Sequence, residues 1–130
     1  MAAQLLLACA VANLGFAVFH VAFWRLFDWR DQLARVSWVN RGVMQVLNVR
    51  LIYVFVLFAA LQAVFAPTLL ASPPGFALQA GIAGFWAMRA AEQVLFFRLA
   101  HPASKGIFAL FVANALLHAA ALVAAGAPHA

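Results

Sequence analysis

The stretch Phe85-Trp86-Ala87-Met88-Arg89-Ala90-Ala91-Glu92-Gln93-Val94-Leu95-Phe96-Phe97-Arg98 decides the fold. It is an apolar segment that carries an arginine and a glutamate in its interior. On a helix Arg89, Glu92, Gln93 and Phe96 stand at i, i+3, i+4 and i+7 and share one face. Ionisable residues inside a membrane span are expensive, and they face a helix-lined interior or a polar cavity rather than lipid. The segment therefore predicts a membrane helix whose polar face meets polar faces on its neighbours.

Composition leads to the same solvent. Of 130 residues, 68% are apolar and 8% are charged, and the mean hydropathy is +1.02. A soluble domain carries about a quarter of its residues as charges. This chain has too few to cover a water-facing surface, so its solvent is the lipid bilayer. The net charge of +5 does not point to nucleic acid, because the basic residues are scattered between apolar runs and form no groove-sized patch. Cys9 is the only cysteine, which rules out an intrachain disulfide, and its apolar surroundings suggest a small packing residue. The first apolar run has no basic n-region and is too long for a signal-peptide h-region, so it reads as a retained span.

Crossing a hydrocarbon core of ~30 Å takes about 20 apolar residues. Segments near 4–27, 43–66, 75–98 and 106–125 meet this length. The expected fold is a single all-α domain, an integral membrane four-helix bundle with antiparallel up-down topology. The breaks have local reasons. Asp28, Arg30, Asp31 and Arg35 follow the first span, where 25–36 either prolongs the helix or lies along the interface. Trp24, Trp29 and Trp38 suit the headgroup belt. Ser37 is an expected N-cap. Pro67 closes the second span, Ser72-Pro73-Pro74 opens the third, and His101-Pro102 closes it. Ser104 is expected to cap the fourth span, and Gly126 with Pro128 to end it.

Arg25, Arg30, Arg35, Arg41, Arg98 and Lys105 cluster on the first and third loops, whereas the second loop and the C-terminal tail carry no Lys or Arg. The positive-inside rule then puts loops 28–42 and 99–105 in the cytoplasm and both termini on the outer side. The expected location is a bacterial inner (plasma) membrane, with a multi-pass topology.

Depth gathers the polar residues. Counted from the cytoplasmic end of each span, His20, Asn48, Arg50, Arg89, Glu92, Asn114 and His118 fall mostly within a slab roughly 7–18 Å deep at 1.5 Å per residue. The outer half holds Asn13, Gln62 and Gln79, which read as interhelical hydrogen-bond glue. Arg50 lies about 200° round the helix from Asn48 and either serves a second face or snorkels. With Arg50, Arg89 and Glu92 ionised, one positive charge lacks a protein partner. An anionic headgroup, an anionic ligand, a water-filled cleft or snorkelling would compensate it.

Three functional classes follow. In the preferred one the slab binds, or acts on, a hydrophobic small molecule with a polar or anionic head, lipid- or quinone-like. Arg89 holds the head; Asn48, Asn114, Gln93 and Arg50 complete the binding set; Glu92, His20 and His118 move protons. The first alternative is a non-catalytic anchor or accessory subunit, whose partner is a homo-oligomer or a larger membrane complex. The second is a small ion or proton channel or transporter, which the scarcity of polar lining in the outer half disfavours. A haem between His20 and His118 is disfavoured by their difference in depth. A metal held by His20, His118 and Glu92 is opposed by Arg89. The sequence names no cofactor.

Overall fold

Residues 1–126 are described in a computed structural model, and every regular element among them is helical. The chain runs α1 (Ala2–Val21), α2 (Phe23–Leu26), α3 (Trp29–Ala34), α4 (Trp38–Val64), α5 (Ala66–Ala71), α6 (Pro73–Glu92), a π-helical turn (Gln93–Phe97) and α7 (Pro102–Ala125). Three helices are long and apolar enough to cross a membrane: α1, α4 and α7, with mean hydropathy 2.0, 2.0 and 2.2 over 18-residue windows. These mark an integral membrane protein. The third expected segment is not one of them. As α6 it has the length of α1, 20 residues, but two prolines, Gln79, Arg89 and Glu92 dilute its hydropathy.

The boundaries have identifiable chemistry. Ser37 Oγ accepts from the backbone N–H of Asn40 at 3.3 Å and starts α4. Ser72 Oγ accepts from Gly75 N–H at 3.2 Å and starts α6, with prolines in its first turn. Both match expectation. Gly126 closes α7 at φ 73°, a conformation that suits glycine; Pro128, expected to share that role, lies outside the described residues. Three expected boundaries move. The first span stops at Val21 rather than at Phe27. Asp28 adopts a left-handed conformation (φ 48°, ψ 45°), and short helices α2 and α3 replace a continuous extension. Arg41 fixes α3 in place, donating from Nε to Leu33 O at 2.9 Å and from Nη2 to Ala34 O at 3.4 Å. Pro67 sits in the first turn of α5, since α4 has already ended at Val64. His101, not Ser104, caps α7: its Nδ1 accepts from Ala103 N–H at 3.2 Å. Ser104 is engaged elsewhere, donating to Arg98 O.

Helix α1 packs along α4 and α7, and α6 packs along α7. Each long helix buries one stripe at helical spacing: Asn13 and Ala17 on α1, Asn48, Phe55, Ala59 and Gln62 on α4, Gln79, Ile82, Trp86 and Ala90 on α6, and Phe111, Asn114, His118 and Ala121 on α7. The outward faces are covered with exposed Leu, Val, Phe and Met. Polar groups point inward and apolar ones outward, as expected of helices assembled in lipid. Helix α5 closes one end, where Leu6, Ala66, Leu69 and Ala121 form a cluster. Its approach to α6 is close: a Cβ on Gly75 would stand 2.6 Å from Leu69 Cα and 2.8 Å from Leu69 O. Helix α3 flanks the opposite end.

Candidate functional site

The buried polar residues do not form one slab. Apart from Asn114, they form two groups, separated by a layer of aromatic rings.

The layer is built from Phe16, Phe55, Trp86 and Phe111, one ring from each long helix. Phe16 stands 4.4 Å from Trp86 and 5.6 Å from Phe111, centroid to centroid, and Phe55 stacks on Trp86 at 5.2 Å with 13° between planes. Trp86 is 0% exposed. Rings of this size fill the space between α4 and α6, which Gln62 and Gln79 also bridge.

On the α5 side of the layer lies a fully buried chain of amides. The donors can be assigned from their partners. His118 Nδ1–H donates to the carbonyl of Asn114 at 2.8 Å, which leaves Nε2 as an acceptor. Asn13 Nδ2 donates to that nitrogen at 3.4 Å and to Gln62 Oε1 at 2.8 Å. Gln62 Nε2 donates to Gln79 Oε1 at 3.0 Å. Asn13, Gln62, Gln79 and His118 are each 0% exposed, and together they join α1, α4, α6 and α7. Both ring nitrogens of His118 are occupied. The reading of Asn13, Gln62 and Gln79 as interhelical glue describes this geometry well, and His118 belongs with them.

On the α3 side lies a cavity of ≈730 Å³. Its walls come from α1 to α4, α6, the π-turn and α7. Phe19, Phe23, Phe27, Trp29, Phe97 and Phe111 supply rings; Leu33, Leu51 and Ile107 supply aliphatic surface; and His20, Gln32, Arg89 and Gln93 are its polar side chains. His20 is oriented by Asn48 through two bonds. Asn48 Nδ2 donates to the His20 carbonyl at 3.1 Å, which identifies the other amide atom as oxygen, and this Oδ1 lies 2.8 Å from His20 Nδ1. Nδ1 therefore carries the proton in the neutral ring, and Nε2 is a bare acceptor. The ring also stacks on Phe23 at 4.3 Å.

Arg89 reaches the same cavity. Its Nη1 donates to Glu92 Oε2 at 3.1 Å, and its guanidinium lies 4.7 Å from the Phe111 ring centroid and 5.6 Å from that of Phe97. Cation–π contact with two rings holds the charge at the cavity wall while other guanidinium N–H groups stay free. Gln93 is buried and is oriented in turn. Ser104 Oγ gives its hydrogen to Arg98 O, so it accepts from Gln93 Nε2 at 2.9 Å. The amide oxygen of Gln93 has no protein partner among the described residues.

The π-turn changes one expected face. Continued α-helix places Phe96 beside Arg89, Glu92 and Gln93. The i→i+5 bonding of the π-turn inserts a residue, so Phe97, itself 63% exposed, lines the edge of the cavity near Arg89, whereas Phe96 is 77% exposed and does not line it. Arg98 then ends the run at φ 56°.

The remaining expected site residues lie elsewhere. Glu92 is half exposed and meets the site only through Arg89. Arg50 is exposed on α4 and does not line this cavity. Asn114 lines a separate apolar groove of ≈430 Å³ between α1 and α7, and its amide nitrogen and oxygen have no partner among the described residues. His20 and His118 lie on opposite sides of the aromatic layer, with Phe55 and Trp86 between them, so one haem iron or one metal ion does not fit between them. Among the described residues no three His, Cys, Asp or Glu side chains gather at metal-ligand distance. Trp29, expected in the headgroup belt, is instead buried against Phe23 at 5.4 Å because α3 folds back under α2. Trp29, Gln32, Phe97 and Ser104 were not evident as site residues, since their roles depend on the α3 fold-back and the π-turn. No family model, curated protein or solved structure matches this chain.

Proposed function

We propose that this chain is a four-span membrane protein, with α6 as the fourth span and both termini on the outer side. Its cavity at the cytoplasmic end binds a hydrophobic small molecule with a polar or anionic head. One observation carries the reading: a cavity of ≈730 Å³ brings His20, Arg89 and Gln93 together between aromatic walls. Its size lies within the range of small-molecule sites, which are mostly apolar with a few placed polar groups. Arg89 holds the head of the ligand, His20 and Gln93 bond to it, and Asn48 keeps His20 in one orientation. The apolar tail leaves along the Phe- and Leu-lined wall towards lipid. The amide chain around His118 holds the helices together.

The orientation rests on the basic loops around α3 and between α6 and α7. It places α3 and the cavity mouth at the cytoplasmic headgroups, where an amphiphile arrives with its head at the right depth. The aromatic layer argues against the transport alternative, since it interposes apolar rings between the two polar groups.

The test is purification of the full chain in native lipid discs, followed by extraction and mass spectrometry of bound small molecules. An amphiphile retained near one per chain, and lost on Arg89→Met with the melting temperature kept, is the expected result. A wild-type chain that carries no molecule beyond bulk lipid overturns the reading.

A further inference from the structure

The polar groups of the cavity have a sign, and it selects one kind of head. We infer that the site recognises a dihydroxylated aromatic head, the hydroquinone class, and discriminates against the corresponding quinone; the inference rests on the amphiphile-binding reading above. His20 Nε2 is an acceptor because Nδ1–H is directed at Asn48 Oδ1. Gln93 presents its amide oxygen because Nε2 is given to Ser104. Arg89 is a donor with one nitrogen on Glu92 and the rest of its fork unpaired. The site thus offers two acceptors and one cationic donor.

A quinone carbonyl only accepts. It satisfies Arg89 and leaves His20 Nε2 and Gln93 Oε1 facing an acceptor. A carboxylate head has the same defect. A phenolic hydroxyl has one hydrogen to donate and lone pairs that accept, so a hydroquinone gives one hydroxyl hydrogen to His20 and the other to Gln93 while an oxygen lone pair takes Arg89. The walls favour a ring over a glycerol or sugar hydroxyl: His20 stacks on Phe23, and Trp29 meets Phe23 edge-on at 77°. A planar head packs against this aromatic wall by offset or edge contact. Sites built to bond a substrate hydroxyl reject analogues without it strongly, because their own buried groups are left unpaired.

Asn48 acts here as a positioning residue. Without its Oδ1, the proton of the neutral His20 ring is free to move to Nε2, and the acceptor is lost without any change in the groups that contact the ligand. Ser104 does the same for Gln93.

The probe pair is a decyl-substituted 1,4-benzohydroquinone and its benzoquinone, titrated anaerobically by calorimetry into the detergent-solubilised full chain. The expected result is at least about tenfold tighter binding of the hydroquinone. His20→Phe and Gln93→Met should each reduce that ratio to within about threefold of unity, and Asn48→Leu should lower the ratio with less effect on quinone binding. Melting temperatures in detergent show which variants are folded, and either acceptor variant suffices. Equal binding of the two forms overturns the inference and leaves the amphiphile reading standing. Selective binding that persists in a folded acceptor variant overturns it too. Failure of both probes to bind a chain that retains another amphiphile overturns it, as does a Soret band showing that His20 Nε2 holds haem. If neither probe binds and no molecule is retained, both readings fall.

Discussion

Replacing Gln62 by leucine tests whether buried amides hold the helices together. Gln62 is 0% exposed and makes two hydrogen bonds, accepting from Asn13 at 2.8 Å and donating to Gln79 at 3.0 Å. Interhelical hydrogen bonds in membranes average about 0.6 kcal/mol and reach about 1.7. Two of them give about 1–3 kcal/mol. Gln79 enters the calculation as well. Its Nε2 already has no partner among the described residues, and Gln62→Leu strands its oxygen too, on a side chain that is fully buried. Leaving a buried polar group unmade costs about 1–3 kcal/mol. Gln62→Leu should therefore destabilise by about 2–4 kcal/mol, towards the lower end because the unfolded chain in detergent also finds partners. Gln79→Leu leaves one orphan, Gln62 Nε2. The double variant removes donor and acceptor together and should lose less than the sum of the single losses. Reversible unfolding in mixed micelles, with all four chains compared as a double-mutant cycle, reads the coupling. Additivity within about 0.5 kcal/mol refutes the reasoning, and so does a Gln62→Leu chain as stable as the parent.

Other outcomes follow from separate parts of the molecule. Gly75→Ala drives a methyl group into the backbone of Leu69; it should cost about 1–3 kcal/mol as an overpacking defect, and an unchanged melting temperature would show that α5 does not hold this contact. Glu92→Gln breaks an ion pair whose acid is half exposed, so stability should fall by less than about 1 kcal/mol; a larger loss in the same unfolding assay would mean that Glu92 is buried in the membrane-embedded protein. A reporter fused at the C-terminus should be active on the outer side of the membrane, and activity in the cytoplasm reverses the proposed orientation.

The sequence alone determined the solvent and the faces. Its charges are too few to cover a water-facing surface, and amides recur at helical spacing on segments otherwise fit for lipid, so each long helix has one inward stripe. That much follows from transfer free energy and from the 3.6-residue repeat, both local properties. Ser37 and Ser72 were legible for the same reason, since an N-cap is decided within four residues. Depth along a span was less informative. It put His118 in one slab with His20, though deeper, because counting residues from a loop says nothing of the rings that fill the middle. Phe16, Phe55, Trp86 and Phe111 divide the interior only because each comes from a different helix and their combined bulk fills one level. The cavity needed two further tertiary decisions. Asp28 enters a left-handed conformation and turns α3 back, which brings Trp29 and Gln32 to the wall. The π-turn brings Phe97 rather than Phe96 to the edge of the cavity, and Ser104, drawn from the next helix, orients Gln93. These depend on hydrogen bonds and packing between segments distant in sequence, where no local repeat carries the information.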